Sequence, residues 1–160
     1  MRWREDRGEN LVSALHAREE AATLLAAVAA DGRILALDAA LEADFGAYCF
    51  FPANYMIAVV AMILPGPYRV KAYRYALDAW LTNKCPAGPM RAPMASASWF
   101  MDGLVDRIAA ELGLDPLDVR RANTIGAGEQ PWTTATGEVL VDVTPAETLE
   151  AAAAAIGHEA

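Results

Sequence analysis

"ADGRILALDAALEADFGAY", residues 30–48, carries the decision about the fold. Asp31-Gly32 is a turn signal, because glycine adopts a positive φ without steric cost. Behind it Leu35, Leu37, Ala39, Leu41, Ala43 and Phe45 fall on one face. Asp38, Glu42 and Asp44 fall on the other, and Ile34, Ala36 and Ala40 break the pattern. A period of two with one apolar face predicts a half-buried antiparallel strand. The run before the turn, "REEAATLLAAVAA" (residues 18–30), supplies the other arm of a hairpin, although its alanines suit a helix too.

Outward from the hairpin, "YMIAVVAMIL" (residues 55–64) is the most apolar run and is closed by Pro65-Gly66. Its length is about half of the roughly 20 residues that cross a bilayer, so a buried helix near 54–64 is predicted and a membrane span is not. "YRVKAYRYALDAWLTN" (residues 68–83) is rich in aromatic and β-branched residues and predicts another strand. Beyond it, Phe100, Leu104, Ile108 and Leu112 repeat every four residues, with Met101, Val105 and Ala109 beside them. That spacing predicts a helix ended by Gly113. Asp115-Pro116 then starts a second helix over about 116–124, by cap and first-turn proline. "EVLVDV" reads as a short strand. Thr144, Pro145 and Glu147 predict a capping box for a last helix. Strands first and helices later give the α+β class: an antiparallel β-hairpin and further strands followed by packed helices. The chain divides into a strand-rich part (1–85), a loop (86–97), a helical part (98–125) and a C-terminal loop and helix (126–160).

The net charge of −8 argues against nucleic acid, which requires a basic face, and against docking on anionic lipid. Cys49 and Cys85 lack metal-ligand spacing and read as reduced, mostly buried thiols. His16 and His158 belong to no zinc or triad motif. The N-terminus "MRWREDRGEN" shows no secretion signal, which predicts a cytoplasmic protein.

Four constellations are candidates for chemistry. The Asp38/Glu42/Asp44 face reads first as a solvated strand face, and acid–base work would require burial to raise one carboxyl. Tyr68, Tyr73, Tyr75 and Trp80 read as strand packing. Arg120 and Arg121 suit the negative end of a helix. The fourth is the Pro-, Gly- and Ala-rich loop "PAGPMRAPMASA" (residues 86–97), which sets Arg91 before a helix start. First-turn amides there suit anionic oxygens, and small residues permit close approach. An ordinary strand-to-helix loop with an exposed arginine accounts for the same residues, and the pattern leaves both readings open.

Taken in order, "RWREDRGENLVSALHAREE" (2–20), the hairpin (30–48), "MILPGPYRVKAYRYALDAWLTNKCPAGPMRAP" (62–93) and "MDGLVDRIAAELGLDPLDVRRAN" (101–123) resemble the molybdopterin-binding large subunit of the xanthine dehydrogenase and aldehyde oxidase family. The resemblance implies part of a molybdenum hydroxylase that oxidises aldehydes or N-heterocycles with water as oxygen source. It implies a molybdenum–molybdopterin cofactor, in the cytosine dinucleotide form in some members, with 2Fe-2S and FAD carried by partner subunits or domains. Carried over by position, Arg91 and Ala92 are cofactor-binding, through a backbone amide at Arg91, and Pro93 lines the substrate pocket. Implied partners are iron–sulfur and flavin subunits, the remainder of the large subunit and a small-molecule substrate.

The family loop has a glycine shortly after the arginine, where this chain has Met94, Ala95 and Ser96. Ala92 replaces the cysteine of the carbon monoxide dehydrogenase branch, and Val59 the arginine of purine oxidisers. The family's glycine-rich cofactor segment lies upstream and its catalytic glutamate far downstream, so no catalytic residue is assigned here. The expectation is a segment of a larger domain, inactive alone, with a non-catalytic remnant or a subunit-interaction module as the alternatives. Such a segment leaves apolar faces uncovered and is expected to self-associate.

Overall fold

A computed structural model describes residues 2–17, 19–49, 51–88 and 95–158. The predicted hairpin is its centre. Strands β1 (Glu20–Val28) and β2 (Ile34–Asp44) pair antiparallel, with Leu24 opposite Ala39 and Glu20 opposite Ala43. Gly32 sits at φ +84°, the conformation that the Asp-Gly turn requires. One expectation fails at the turn. Ile34 is buried and Leu35 exposed, because the register shifts at Ala27/Val28. Val28 pairs with Ile34 and Ala27 with Ala36, so Leu35 is the extra residue of a bulge and leaves the face it was assigned to.

Helix α1 (Arg7–Ser13), not predicted from the sequence, precedes the hairpin. Asp6 and Glu9 close a reciprocal capping box on it, each side chain accepting from the other's backbone N–H at 2.9 Å. Helix α2 (Ala53–Ile63) carries the chain from β2 to β3 (Ala72–Trp80). It inserts Ile57, Val60 and Ala61 into the core. The crossover makes β3 parallel to β2, giving the sheet order β1-β2-β3 with Asp38 beside Arg74 and Glu42 beside Asp78. The strand predicted over 68–83 is shorter, and Tyr68 instead forms a single bridge with Thr124.

Helix α3 (Ala95–Leu112) buries Ala97, Met101, Val105, Ile108 and Ala109. Within the Phe100/Leu104/Ile108/Leu112 row only Ile108 is buried; Phe100 and Leu104 lie at the flank, and Leu112 is exposed. After Gly113 (φ +66°), α4 (Pro116–Asn123) begins as predicted, with the Asp115 carboxylate accepting from the Leu117 N–H at 2.6 Å. A small hairpin of β4 (Trp132–Thr133) and β5 (Val139–Leu140) leads to α5 (Pro145–Ile156). The capping box predicted there does not form. Thr144 makes no side-chain cap bond, and the Thr148 hydroxyl bonds the Thr144 carbonyl at 2.6 Å. The helices cover one face of the sheet, and the core of Leu37, Leu41, Val60, Leu64 and Val105 lies between the layers. The result is an α+β arrangement, as expected. The thiols depart from expectation: Cys49 is exposed and Cys85 half-buried.

Candidate functional site

The loop that the sequence singled out has its two limbs fixed by different elements. Its first limb leaves β3 and is stitched to the end of β2. Phe45 N–H donates to Trp80 O (3.0 Å), Thr82 N–H to Gly46 O (3.0 Å), Ala47 N–H to Lys84 O (2.9 Å) and Ala87 N–H to Phe45 O (2.9 Å). A second seam runs to the stretch before β1, where His16 N–H donates to Pro86 O and Gly88 N–H to His16 O, both at 3.0 Å. Two glycines permit this closeness. A Cβ on Gly46, whose φ is +69°, would lie 2.2 Å from the Cys85 carbonyl oxygen, and one on Gly88 would lie 2.6 Å from Leu15 Cδ1.

Asp44 locks the same corner. Its carboxylate accepts from Gly46 N–H at 2.8 Å and from the Thr82 hydroxyl at 2.8 Å, and Lys84 Nζ stands 3.1 Å away. The Gly46 N–H, then Thr82 and Lys84, hold its carboxyl below the usual carboxylate range. Asp44 is therefore a buried structural acid, not part of a solvated face. Asp38 is paired with Arg74, and Glu42 is exposed. The three carboxylates do not converge on a reaction centre.

The second limb is the start of α3. Ser96 and Ala97 are buried in its first turn, and the Ser96 hydroxyl is enclosed with no hydrogen-bond partner among the described residues. The first-turn amides of a helix lack intrahelical acceptors and carry partial positive charge. Beside this turn, Ala95, Ser98, Trp99 and Phe100 line an open hollow of about 710 Å³ against Ala22 and Leu24 of β1. Near the first limb, a cavity of about 30 Å³, the share of one water molecule, is lined by Glu20, Met56, Ile57, Ala87 and Gly88. Glu20 Oε2 is enclosed without a partner among the described residues as well.

The other candidates resolve as structure. Tyr73 and Tyr75 rings pack 5.5 Å apart, and the Tyr73 hydroxyl donates to Ala61 O. Tyr68 leaves that group and donates to Asp102 at 2.8 Å, and its phenol is pushed up first by burial and then by Asp102. Arg120 bonds Asp106 at 2.7 Å and Arg121 bonds Glu150 at 2.8 Å, tying α4 to α3 and α5.

Arg91, Ala92 and Pro93, to which the resemblance assigns cofactor and pocket roles, lie outside the described residues. The limbs around them suit an anionic, oxygen-bearing group: small residues on both sides, an eighteen-residue helix beginning there, and a buried hydroxyl in its first turn with no partner among the described residues. Neither Ser96 nor Glu20 was singled out from sequence as a site residue. Their signal is a missing partner, which only the assembled surroundings reveal.

Among the described residues no helix is long and apolar enough to cross a membrane, and no group of three or more His, Cys, Asp or Glu side chains is placed to hold a metal. The model of the molybdopterin cofactor-binding domain matches residues 1–124. The gamma subunit of the 6-hydroxypseudooxynicotine dehydrogenase complex of Paenarthrobacter nicotinovorans is 41% identical over 135 residues, covering 83% of this chain and 17% of the relative. The nicotine 6-hydroxylase large subunit of the same organism is 32% identical over 155 residues, covering 94% of this chain and 19% of the relative. The quinoline 2-oxidoreductase crystal structure from Pseudomonas putida 86 superposes with a TM-score of 0.91 at 32% identity, over 98% of this chain and 20% of that one. The chain thus spans about a fifth of the length of the relatives it matches. With the family model covering most of the chain and the quinoline 2-oxidoreductase structure superposing over 98% of it, the chain belongs to the molybdopterin cofactor-binding domain family of molybdenum hydroxylase large subunits.

Proposed function

We propose that residues 1–160 form part of the cofactor wall of a molybdenum hydroxylase catalytic subunit, with residues 86–97 as the cofactor loop. The observation that carries this reading is the start of α3, where the buried Ser96 hydroxyl has no partner among the described residues. A buried polar group without a partner costs about 1–3 kcal/mol, and an anionic cofactor oxygen would relieve it. In this reading the first-turn amides and the Ser96 hydroxyl hold that oxygen, the Arg91 amide adds a further donor, and Ala92 and Pro93 border the substrate. The stitched corner at Gly46, Asp44 and Thr82 keeps the loop's first limb from shifting. When bound, the molybdenum–pterin group supplies oxidation of an electron-poor carbon with water as oxygen source, and the protein supplies position and electrostatics.

The substrate class is an N-heterocycle or an aldehyde. The relatives named for nicotine and quinoline support the heterocycle, and Val59, an apolar residue where purine oxidisers place an arginine, disfavours a purine. Electrons would leave through 2Fe-2S and FAD centres on partner subunits, and the remainder of a large subunit would complete the site. The cytosine dinucleotide form of the cofactor, carried by some members of the family, has only the family resemblance behind it.

The test is molybdenum and pterin analysis of the chain purified alone and of any complex recovered with electron-transfer partners. The expected result is no stoichiometric molybdenum and no turnover for the chain alone, with both present in the complex. A complex free of molybdenum, or turnover by the isolated chain, overturns the proposal.

A further inference from the structure

Strand β3 is an edge. Its inner side pairs with β2 over nine residues, and among the described residues no strand pairs with its outer side. Every β3 residue except Tyr73 and Leu77 is exposed, with Tyr75 and Trp80 at 42% and 45%. A long exposed edge with large apolar side chains is a template for strand addition.

The sequence of the edge is self-complementary. In "AYRYALDAW" (residues 72–80), a two-fold antiparallel pairing centred on Ala76 sets Arg74 opposite the second copy's Asp78, and Asp78 opposite its Arg74. The same register sets Tyr75 against Leu77, Tyr73 against Ala79 and Trp80 against Ala72, so large side chains meet smaller ones. Moving the register by two residues either way separates the charges, and a parallel in-register pairing sets Arg74 against Arg74. The monomer also leaves a deficit that this register fills. Arg74 is paired with Asp38 on its own sheet, but Asp78 lies beside Glu42, and no cation reaches either carboxylate among the described residues.

We propose that two copies of this chain pair antiparallel through β3, centred on Ala76, in an isologous two-fold dimer. The Arg74 side chain, 82% exposed, spans its own Asp38 and the second copy's Asp78. The proposal is independent of the cofactor reading, since the edge shares no residue with the loop or with the start of α3.

The experiment is sedimentation equilibrium of the chain with two charge reversals, Arg74→Asp and Asp78→Arg. Wild type is expected to dimerise. Each reversal alone is expected to weaken the dimer about tenfold or more, because both symmetry-related charge contacts turn repulsive. An equimolar mixture of the two variants is expected to recover wild-type affinity as a heterodimer, since all contacts across it are again of opposite sign. Recovery in the mixture also shows that both variants fold. Amide exchange within β3 is expected to slow as wild-type concentration rises. A wild-type chain that stays monomeric overturns the proposal and assigns the edge to a strand from another polypeptide. Association that is unchanged by either reversal, or that the mixture fails to restore, overturns the register.

Discussion

The Asn123 side chain accepts the N–H of Ile34 at 2.8 Å, joining the end of α4 to the first residue of β2 across 89 positions of sequence. Its amide nitrogen donates to Gly32 O at 2.9 Å and to Val119 O at 2.8 Å, and the residue is 1% exposed. One side chain thereby fastens the hairpin turn to the helical layer. Asn123→Ala strands a buried N–H and a buried carbonyl, at about 2–4 kcal/mol. Asn123→Asp keeps the acceptor for Ile34 but turns an oxygen toward two carbonyls, so it is expected to be at least as damaging. Denaturant melts of the two variants check this ranking, and a loss below about 1 kcal/mol for Asn123→Ala would remove Asn123 from this role.

Gly46, beside the loop's first limb, and Gly66, in the turn after α2, make a matched comparison. Both have positive φ, +69° and +53°. At Gly66 an added Cβ meets nothing within 4 Å, so Gly66→Ala pays only for backbone conformation, about 1 kcal/mol. At Gly46 the added carbon would lie 2.2 Å from a carbonyl oxygen, so the β2–loop seam must open. Gly46→Ala is expected to lose several times as much stability as Gly66→Ala, and to expose the amides of Thr82 and Ala87 to exchange. Equal losses at the two glycines would show that the seam is not held by close approach.

Much of this fold is legible locally. Asp31-Gly32 announces the hairpin, Asp115-Pro116 starts α4, and Gly113 ends α3, because each signal acts within a few residues. What stays hidden depends on partners far along the chain. Ile34 and Leu35 are both apolar, so the pattern alone does not say which one the bulge expels. The parallel pairing of β3 follows from the α2 crossover rather than from β3's composition. Asp44 reads as a surface acid until Thr82, 38 residues later, arrives with a hydroxyl. The resemblance points to the loop, but Ser96 emerges only from its surroundings among the described residues.

The Glu129 carboxylate accepts from Arg69 Nε at 2.8 Å and from Gly126 N–H at 2.9 Å. These contacts, Arg69 first, lower its pKa from 4.5 to about 2. A carboxyl depressed in the folded state stabilises above its unfolded pKa. That contribution is complete above about pH 4.5 and is lost as pH falls toward about 2. Both side chains are about one-third exposed, so solvent screening limits the contribution to about 1 kcal/mol or less. Stability measured from pH 5 to pH 2 is expected to fall less steeply in Glu129→Gln than in wild type, and identical slopes would place the acid sensitivity elsewhere.

Ser96 separates a cofactor role from a structural one. Its hydroxyl has no partner among the described residues, so Ser96→Ala removes no hydrogen bond to them and relieves a buried polar group. The melting temperature of Ser96→Ala is expected to equal or exceed that of wild type. If the hydroxyl contacts an anionic cofactor oxygen, the same variant lowers the molybdenum-to-protein ratio of the assembled complex, and Ser96→Thr, which keeps the hydroxyl, retains more of it. A stable Ser96→Ala complex with full molybdenum content would leave the hydroxyl without a ligand, and the start of α3 would then be an ordinary helix end.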